Sequence, residues 1–128
     1  MNYMKIANSM SALKEITQLR LPYVKARDVY RIYKAFEEEY NFFAQEEIKL
    51  VSEFAEKDAN GNPCVTSNGV IKFKDATTKM EYVAKFSELG LQESDMKFKP
   101  VILYAEEIGE QIISPETINR LEGIISFE

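Results

Sequence analysis

Apolar positions recur along the first fifty residues at helical spacing. Ile6, Met10, Leu13 and Ile16 follow one another at intervals of four, three and three, which puts them on one face of an amphipathic helix over residues 3 to 20. Pro22 closes that helix, because the residue before a proline is pushed out of the helical region. From Val24 to Lys57 the chain contains neither Gly nor Pro. At 100° per residue, Val29, Ile32, Tyr33, Phe36, Tyr40, Phe43, Leu50, Val51 and Phe54 fall within one arc about 100° wide. The stretch therefore predicts a long second helix with a single buried face. Arg27, Arg31, Lys34, Glu38, Gln45, Lys49, Ser52 and Glu56 lie on the opposite, wet side, joined by Arg20 if the register is continued back. Two residues break the pattern. Glu47 falls inside the apolar arc, where it either snorkels past the core edge, pairs with a base of the first helix or serves as a functional carboxylate. Phe42 falls outside the arc, to be covered by a later segment of the chain, the preferred expectation, or by a partner.

Beyond Lys57 the pattern changes. Asn60-Gly61 tolerates the positive φ that ends a helix, and Pro63 prevents its resumption. "CVTSNGVIKF" then predicts a β-hairpin with Asn68-Gly69 as a type I′ pair, in which Cys64, Thr66, Ile71 and Phe73 share an inward side. Asp75 caps a third helix with Tyr82, Val83, Phe86 and Leu89 on one face and Gly90 as its end. Met96 and Phe98 alternate with Lys97 and Lys99 ahead of an apolar run at 101–104, which predicts one strand, edge or bulged at Pro100, pairing with the hairpin. Ser114 and Pro115 open a last short helix with Ile118 and Leu121 inward and Gly123 as its stop. The tail "IISFE" is expected to dock. The fold class expected is thus α+β, mainly α: a helical hairpin of an N-terminal helix and a long helix, a small β-hairpin or three-stranded sheet, and two short C-terminal helices, all in a single domain spanning 1–128.

Composition removes whole classes of chemistry. The chain has 128 residues, 45% of them hydrophobic, enough for one domain with a core. No apolar run approaches the roughly 18 to 20 residues of a membrane span, and "MNYMKIANSMSALKEI" lacks the apolar block of a secretory signal, so no membrane association and a cytoplasmic location are expected. A single cysteine, Cys64, excludes an internal disulfide and a cysteine-rich zinc site; between hairpin strands it reads as a small buried filler. Histidine is absent, which removes nucleophilic triads, thiol catalysis and the commonest zinc ligand.

The polar run "KDANGNPCVTSNGV" offers Asp58, Asn60 and Asn62 at the first three ligand positions of a calcium loop, yet Pro63 and Gly69 stand where such a loop needs Gly and a bidentate Glu. A turn is the better reading, and no metal or other cofactor is expected. No Gly-rich phosphate loop occurs. Among the acidic residues Glu37, Glu38, Glu39, Glu46 and Glu47, neighbours diverge by about 100°, and only Glu39 and Glu46 share a side, about 10 Å apart; a solvated face is expected, and no enzyme.

The net charge of −5 is unevenly spread. Residues 1–34 carry seven Lys/Arg against two acids, residues 35–71 two against eight, 72–99 six against five, and 100–128 one against six. Most of such a surface repels phosphate, so nucleic acid is a disfavoured partner for the whole protein, although a local N-terminal contact stays open.

The order of segments, a helix ending in "LP", a long helix rich in aromatics and Glu, "KDANGNP", a short hairpin, "FSELGLQES" and "ISPETINRLEGIISFE", resembles a family of short proteins of unknown function from phages and prophages of Gram-positive bacteria. The resemblance implies a phage-encoded protein of the bacterial host cytoplasm, an assembly or accessory factor that acts through contacts, with no assigned catalytic residues. Two roles follow as expectations. The first is a protein–protein or self-association surface, a homodimer or a docked protein, centred on Tyr30, Phe42 and Ile48 at the margins of the apolar arc, with no small-molecule substrate. The alternative is a small nucleic-acid adaptor using Arg20, Lys25, Arg27, Arg31 and Lys34, with Tyr23 and Tyr30 available for stacking; a basic helical end that answers the acidic C-terminal third within the molecule is the plainer explanation of the same charges.

Overall fold

The computed structural model describes residues 1–128. The chain is mainly helical, and its order is α1 (Tyr3–Thr17), α2 (Tyr23–Phe54), α3 (Ala76–Leu91), β1 (Val101–Leu103), α4 (Ala105–Ile108), α5 (Pro115–Arg120) and β2 (Ile125–Phe127). The long helix pair, the small sheet and the short C-terminal helices are those of a mainly α, α+β fold. Its residues divide into two compact units, Met1–Tyr40 with Glu93–Glu128, and Asn41–Gln92. The helix α2 contributes to the first unit as far as Tyr40 and to the second from Asn41.

The first unit is built on aliphatic packing. Asn2 caps α1 by accepting from the Lys5 backbone N–H at 2.8 Å. Ile6, Leu13 and Ile16 are fully buried, as the periodicity predicts, with Ala12 and Ser9 beside them; Met10 is only half-buried. Ser9 is tolerated because its hydroxyl is satisfied: it donates to the Lys5 carbonyl at 2.7 Å and lies 3.3 Å from the Arg120 carbonyl. The Thr117 hydroxyl donates to the Glu15 carboxylate, which ties α5 to α1. From α2 the same unit takes Val29, Ile32 and Phe36, all buried. Ser114 caps α5 through the Thr117 N–H at 3.2 Å, and Leu121 and Thr117 turn inward, whereas Ile118 is exposed. Gly123 takes φ +81°, a conformation open to glycine at little cost, and it turns the tail back so that Ile124 and Ile125 are buried.

That tail forms the sheet. Strand β1 pairs with β2 in parallel, Val101 opposite Ile125 and Leu103 opposite Phe127, so the expected pairing of this strand with the hairpin does not occur. Parallel neighbours need a crossover, and residues 104–123 with α4 and α5 supply one. Residues 95–100 form no strand, yet Met96 and Phe98 are half-buried and Lys97 and Lys99 exposed; the inward–outward alternation holds in extended backbone without a ladder.

The second unit contains the turns and α3. Asp75 caps α3 by accepting from the Thr78 N–H at 2.8 Å. The helix runs through Gly90, which is buried inside it, and stops at Leu91. One buried ring, Phe43, and four half-buried ones hold this unit: Phe43–Phe86 at 5.7 Å, Phe73–Tyr82 at 5.1 Å, Tyr82–Phe86 at 6.1 Å and Phe54–Tyr82 at 6.5 Å between centroids. Val83, expected inward, is exposed, and Glu47 lies near enough to Tyr82 that, after burial, its charge helps hold the phenol above its usual pKa.

The hairpin forms in another register. Val65 pairs with Ile71, and the Thr66 N–H donates to the Val70 carbonyl at 2.7 Å. A type I′ pair needs positive φ at both Asn68 and Gly69, whereas only Gly69 takes it, at +78°. The loop is one residue longer, with the Gly69 N–H donating to the Thr66 carbonyl at 2.9 Å, so a single glycine carries the left-handed step. Around it the backbone closes a ring: the Glu56 N–H donates to the Lys72 carbonyl at 2.9 Å, the Lys72 N–H to the Cys64 carbonyl at 3.0 Å, and the Cys64 N–H to the Glu56 carbonyl at 2.7 Å. Three short arms meet at that ring, the stem from α2 to α3 and the turns at 58–62 and 66–70. Cys64, Ile71 and Phe73 are half-buried, but Thr66 is exposed.

Candidate functional site

The first unit carries a groove of about 620 Å³ between the N-terminal part of α2 and residues 97–104. The wheel places Lys25, Asp28, Ile32 and Ala35 on this side of α2, and Arg27 and Arg31 at its margin. The alternation in "KFKPVI" brings Lys97 and Lys99 to the opposing wall. Ile32, Ala35, Pro100 and Val101 supply apolar lining, and Phe98 and Tyr104 the aromatic part. Phe98 is anchored edge-on against the buried Phe36, with centroids 5.2 Å apart.

Charge distinguishes this groove. Five cations line it against one carboxylate, Asp28, and that carboxylate is occupied by Arg27, whose Nε and Nη2 lie 3.3 and 3.2 Å from Oδ1. Lys25 is also engaged: its ammonium donates to the Ile102 carbonyl, lies 3.8 Å from Glu107 and sits 5.2 Å from the centroid of the Tyr104 ring. Arg31, Lys97 and Lys99 have no ion pair and no side-chain hydrogen bond within the chain. Like charges gathered without an opposing one repel each other, which costs stability that an anion would return.

Of the basic residues singled out in the sequence, the structure brings together Lys25, Arg27 and Arg31. Arg20 lies elsewhere, its backbone N–H and carbonyl held by the Gln111 amide at 2.7 and 2.9 Å. Lys34 pairs with Glu37 at 2.7 Å; this pairing holds the Glu37 carboxyl below its usual pKa, aided by the Tyr33 hydroxyl, and raises the Lys34 ammonium. Lys97, Lys99 and Tyr104 were not singled out. The signal for the two lysines was the KFK alternation, which reads as the wet side of a strand because nothing local in the sequence says what that side faces; Tyr104 closes the apolar run at 101–104 and carried no separate signal.

The aromatic and aliphatic candidates are all exposed, Tyr30 at 56%, Phe42 at 48% and Ile48 at 62%. They are divided between the units: Tyr30 belongs to the first, Phe42 and Ile48 to the second, and those two, six residues apart on a helix, project about 120° from each other. The expected cover of Phe42 by a later segment is incomplete because α3 packs its rings on Phe43 and Phe54 instead. Asp58 uses one carboxylate oxygen to accept from the Asn60 and Asn62 N–H groups at 2.9 and 3.0 Å, the turn chemistry expected of that run. No three His, Cys, Asp or Glu side chains gather in a way that could hold a metal ion, and no helix is long and apolar enough to cross a membrane. Compared with known proteins, the chain matches no family model, no curated protein and no solved structure.

Proposed function

We propose that this chain is a non-catalytic accessory protein, of the phage or prophage kind its segment order resembles, which works in the host cytoplasm by holding an anionic partner in the groove of its first unit. One observation carries the reading: Arg31, Lys97 and Lys99 converge on one concavity with no acidic side chain to answer them. Elsewhere Lys34, Lys49, Lys85 and Arg120 are answered by Glu37, Glu46, Glu88 and Glu116, while other surface cations have no ion pair either, so what sets Arg31, Lys97 and Lys99 apart is that they line one concavity together. A chain of net charge −5 repels polyanions at long range, so the contact is local and favours a partner that reaches into the groove. The test is a titration of labelled polyglutamate, single-stranded oligonucleotide and duplex at about 50 and 200 mM salt. At least one should bind with an affinity that falls with salt and falls again in Lys97→Glu/Lys99→Glu; if none does, the reading is lost.

The exposure of Tyr30, Phe42 and Ile48 favours a second reading, contact with a protein or with another copy of the chain. Light scattering behind size exclusion should then find a dimer or larger that Phe42→Asp loosens. A clean monomer removes self-association.

A further inference from the structure

The geometry points to a single-stranded nucleic acid as the occupant of the groove, an inference that rests on the proposed anionic partner and adds its identity. A flexible strand offers two kinds of surface in one short repeat, a charged backbone and a flat apolar base, and the groove offers the complement of both. Arg31, Lys97 and Lys99 are exposed cations with no partner of their own, suited to a run of phosphates. Tyr104 is 44% exposed on the same lining; the Lys25 ammonium lies over one face of its ring, and a stacked base would use the opposite face. The apolar side chains of Ile32 and Val101 also line the space, where a base is preferred to a carboxylate.

An acidic peptide would satisfy the cations but has no flat group at regular intervals for Tyr104. A duplex keeps its bases stacked on one another and presents a convex backbone, and no helix or ribbon projects from this groove to enter it. The site is therefore read as a concave track for unpaired nucleotides, in which three cations set affinity and one ring sets the preference for single strands. The overall negative charge of the protein limits the footprint to a few nucleotides and keeps binding dependent on salt.

The test uses the full chain and a labelled ten-nucleotide oligothymidine in fluorescence anisotropy, with a duplex and polyglutamate as competitors. Three phosphate contacts at a slope of about 0.7 each weaken binding about twentyfold when salt rises fourfold, and Lys97→Gln/Lys99→Gln reduces that dependence to under about threefold. Tyr104→Leu lowers affinity about tenfold without altering the salt slope. The chain contains no Trp, so Tyr104→Trp places a single indole in the groove, and its emission is expected to be quenched by oligothymidine. Circular dichroism shows whether each variant is folded; the indole readout, which keeps an aromatic ring at the position, tests the inference if Tyr104→Leu is not. Binding of polyglutamate or duplex as tightly as the oligonucleotide, or an indole whose emission the bound oligonucleotide leaves unchanged, overturns the single-strand inference while leaving an anionic partner standing. Absence of salt-dependent binding to all three overturns both.

Discussion

The two units differ in how they exclude water. The first buries thirteen hydrophobic side chains, among them Ile6, Leu13, Ile16, Leu103, Leu121 and Ile124 at full burial; the second buries only Phe43 and Ala55. Its other rings, Phe54, Phe73, Tyr82 and Phe86, are half-buried. Aliphatic side chains from four elements interlock in the first unit, whereas rings stacked between two helices and a set of turns leave their edges wet in the second. Burial rather than helix content separates the units, because the second contains the whole of α3 and much of α2 and still has little fully dry interior. Cooperative stability should therefore reside in the first unit, with the second as a region of lower local stability.

The largest expected effect tests that difference directly. Phe36→Ala removes a fully buried ring and its edge-on contact with Phe98, and it should cost about 3–5 kcal/mol in denaturant unfolding. Phe86→Ala, which removes a half-buried ring from the second unit, should cost about 1–2 kcal/mol; equal losses at the two positions would abolish the distinction. Hydrogen exchange should then find the α3 amides opening before those of β1 and β2, and the reverse order would place the weaker unit at the other end of the comparison.

The smallest effect is a response to pH. The Asp75 carboxyl is held below its usual pKa, first by the Thr78 backbone N–H and then by the Thr78 hydroxyl; the Glu37 carboxyl is held down first by Lys34 and then by Tyr33. A depressed carboxyl contributes stability that is present above its unfolded pKa and is lost as pH falls through the lower folded value. Acid should therefore erode one contribution in each unit. Asp75→Asn should flatten the acid response of the α3 amides and leave that of α1 unchanged. At the alkaline end, burial and then Glu47 raise the Tyr82 phenol, so stability tied to its neutral form persists below the ordinary tyrosine pKa and is lost as pH rises through the higher folded value.

Much of this architecture was legible in the spacing of residues. Ile6, Leu13 and Ile16 fixed the inward face of α1, the absence of Gly and Pro announced α2, and the caps at Asp75 and Ser114 marked where α3 and α5 begin. Partner choice was not legible. Whether Val101–Leu103 pairs with the hairpin or with the tail depends on which apolar surface lies beside it in space, and no local pattern records that. Val83 and Ile118 sit at apolar wheel positions yet face solvent, because a wheel shows a stripe but not how wide its cover is. For the candidate site, Lys25, Arg27 and Arg31 were visible as a basic segment, while Lys97 and Lys99, beyond the intervening residues 32–96, join them only in the folded chain.

The ring of backbone hydrogen bonds joining Glu56, Cys64 and Lys72 has a practical consequence. Because each arm is pinned at its base, the tip of either outer turn can be lengthened without passing strain to the other or to the stem. A short epitope inserted after Asn60 or after Ser67 should leave the melting temperature almost unchanged, which makes these two tips handles for labelling the molecule far from its cationic groove in sequence.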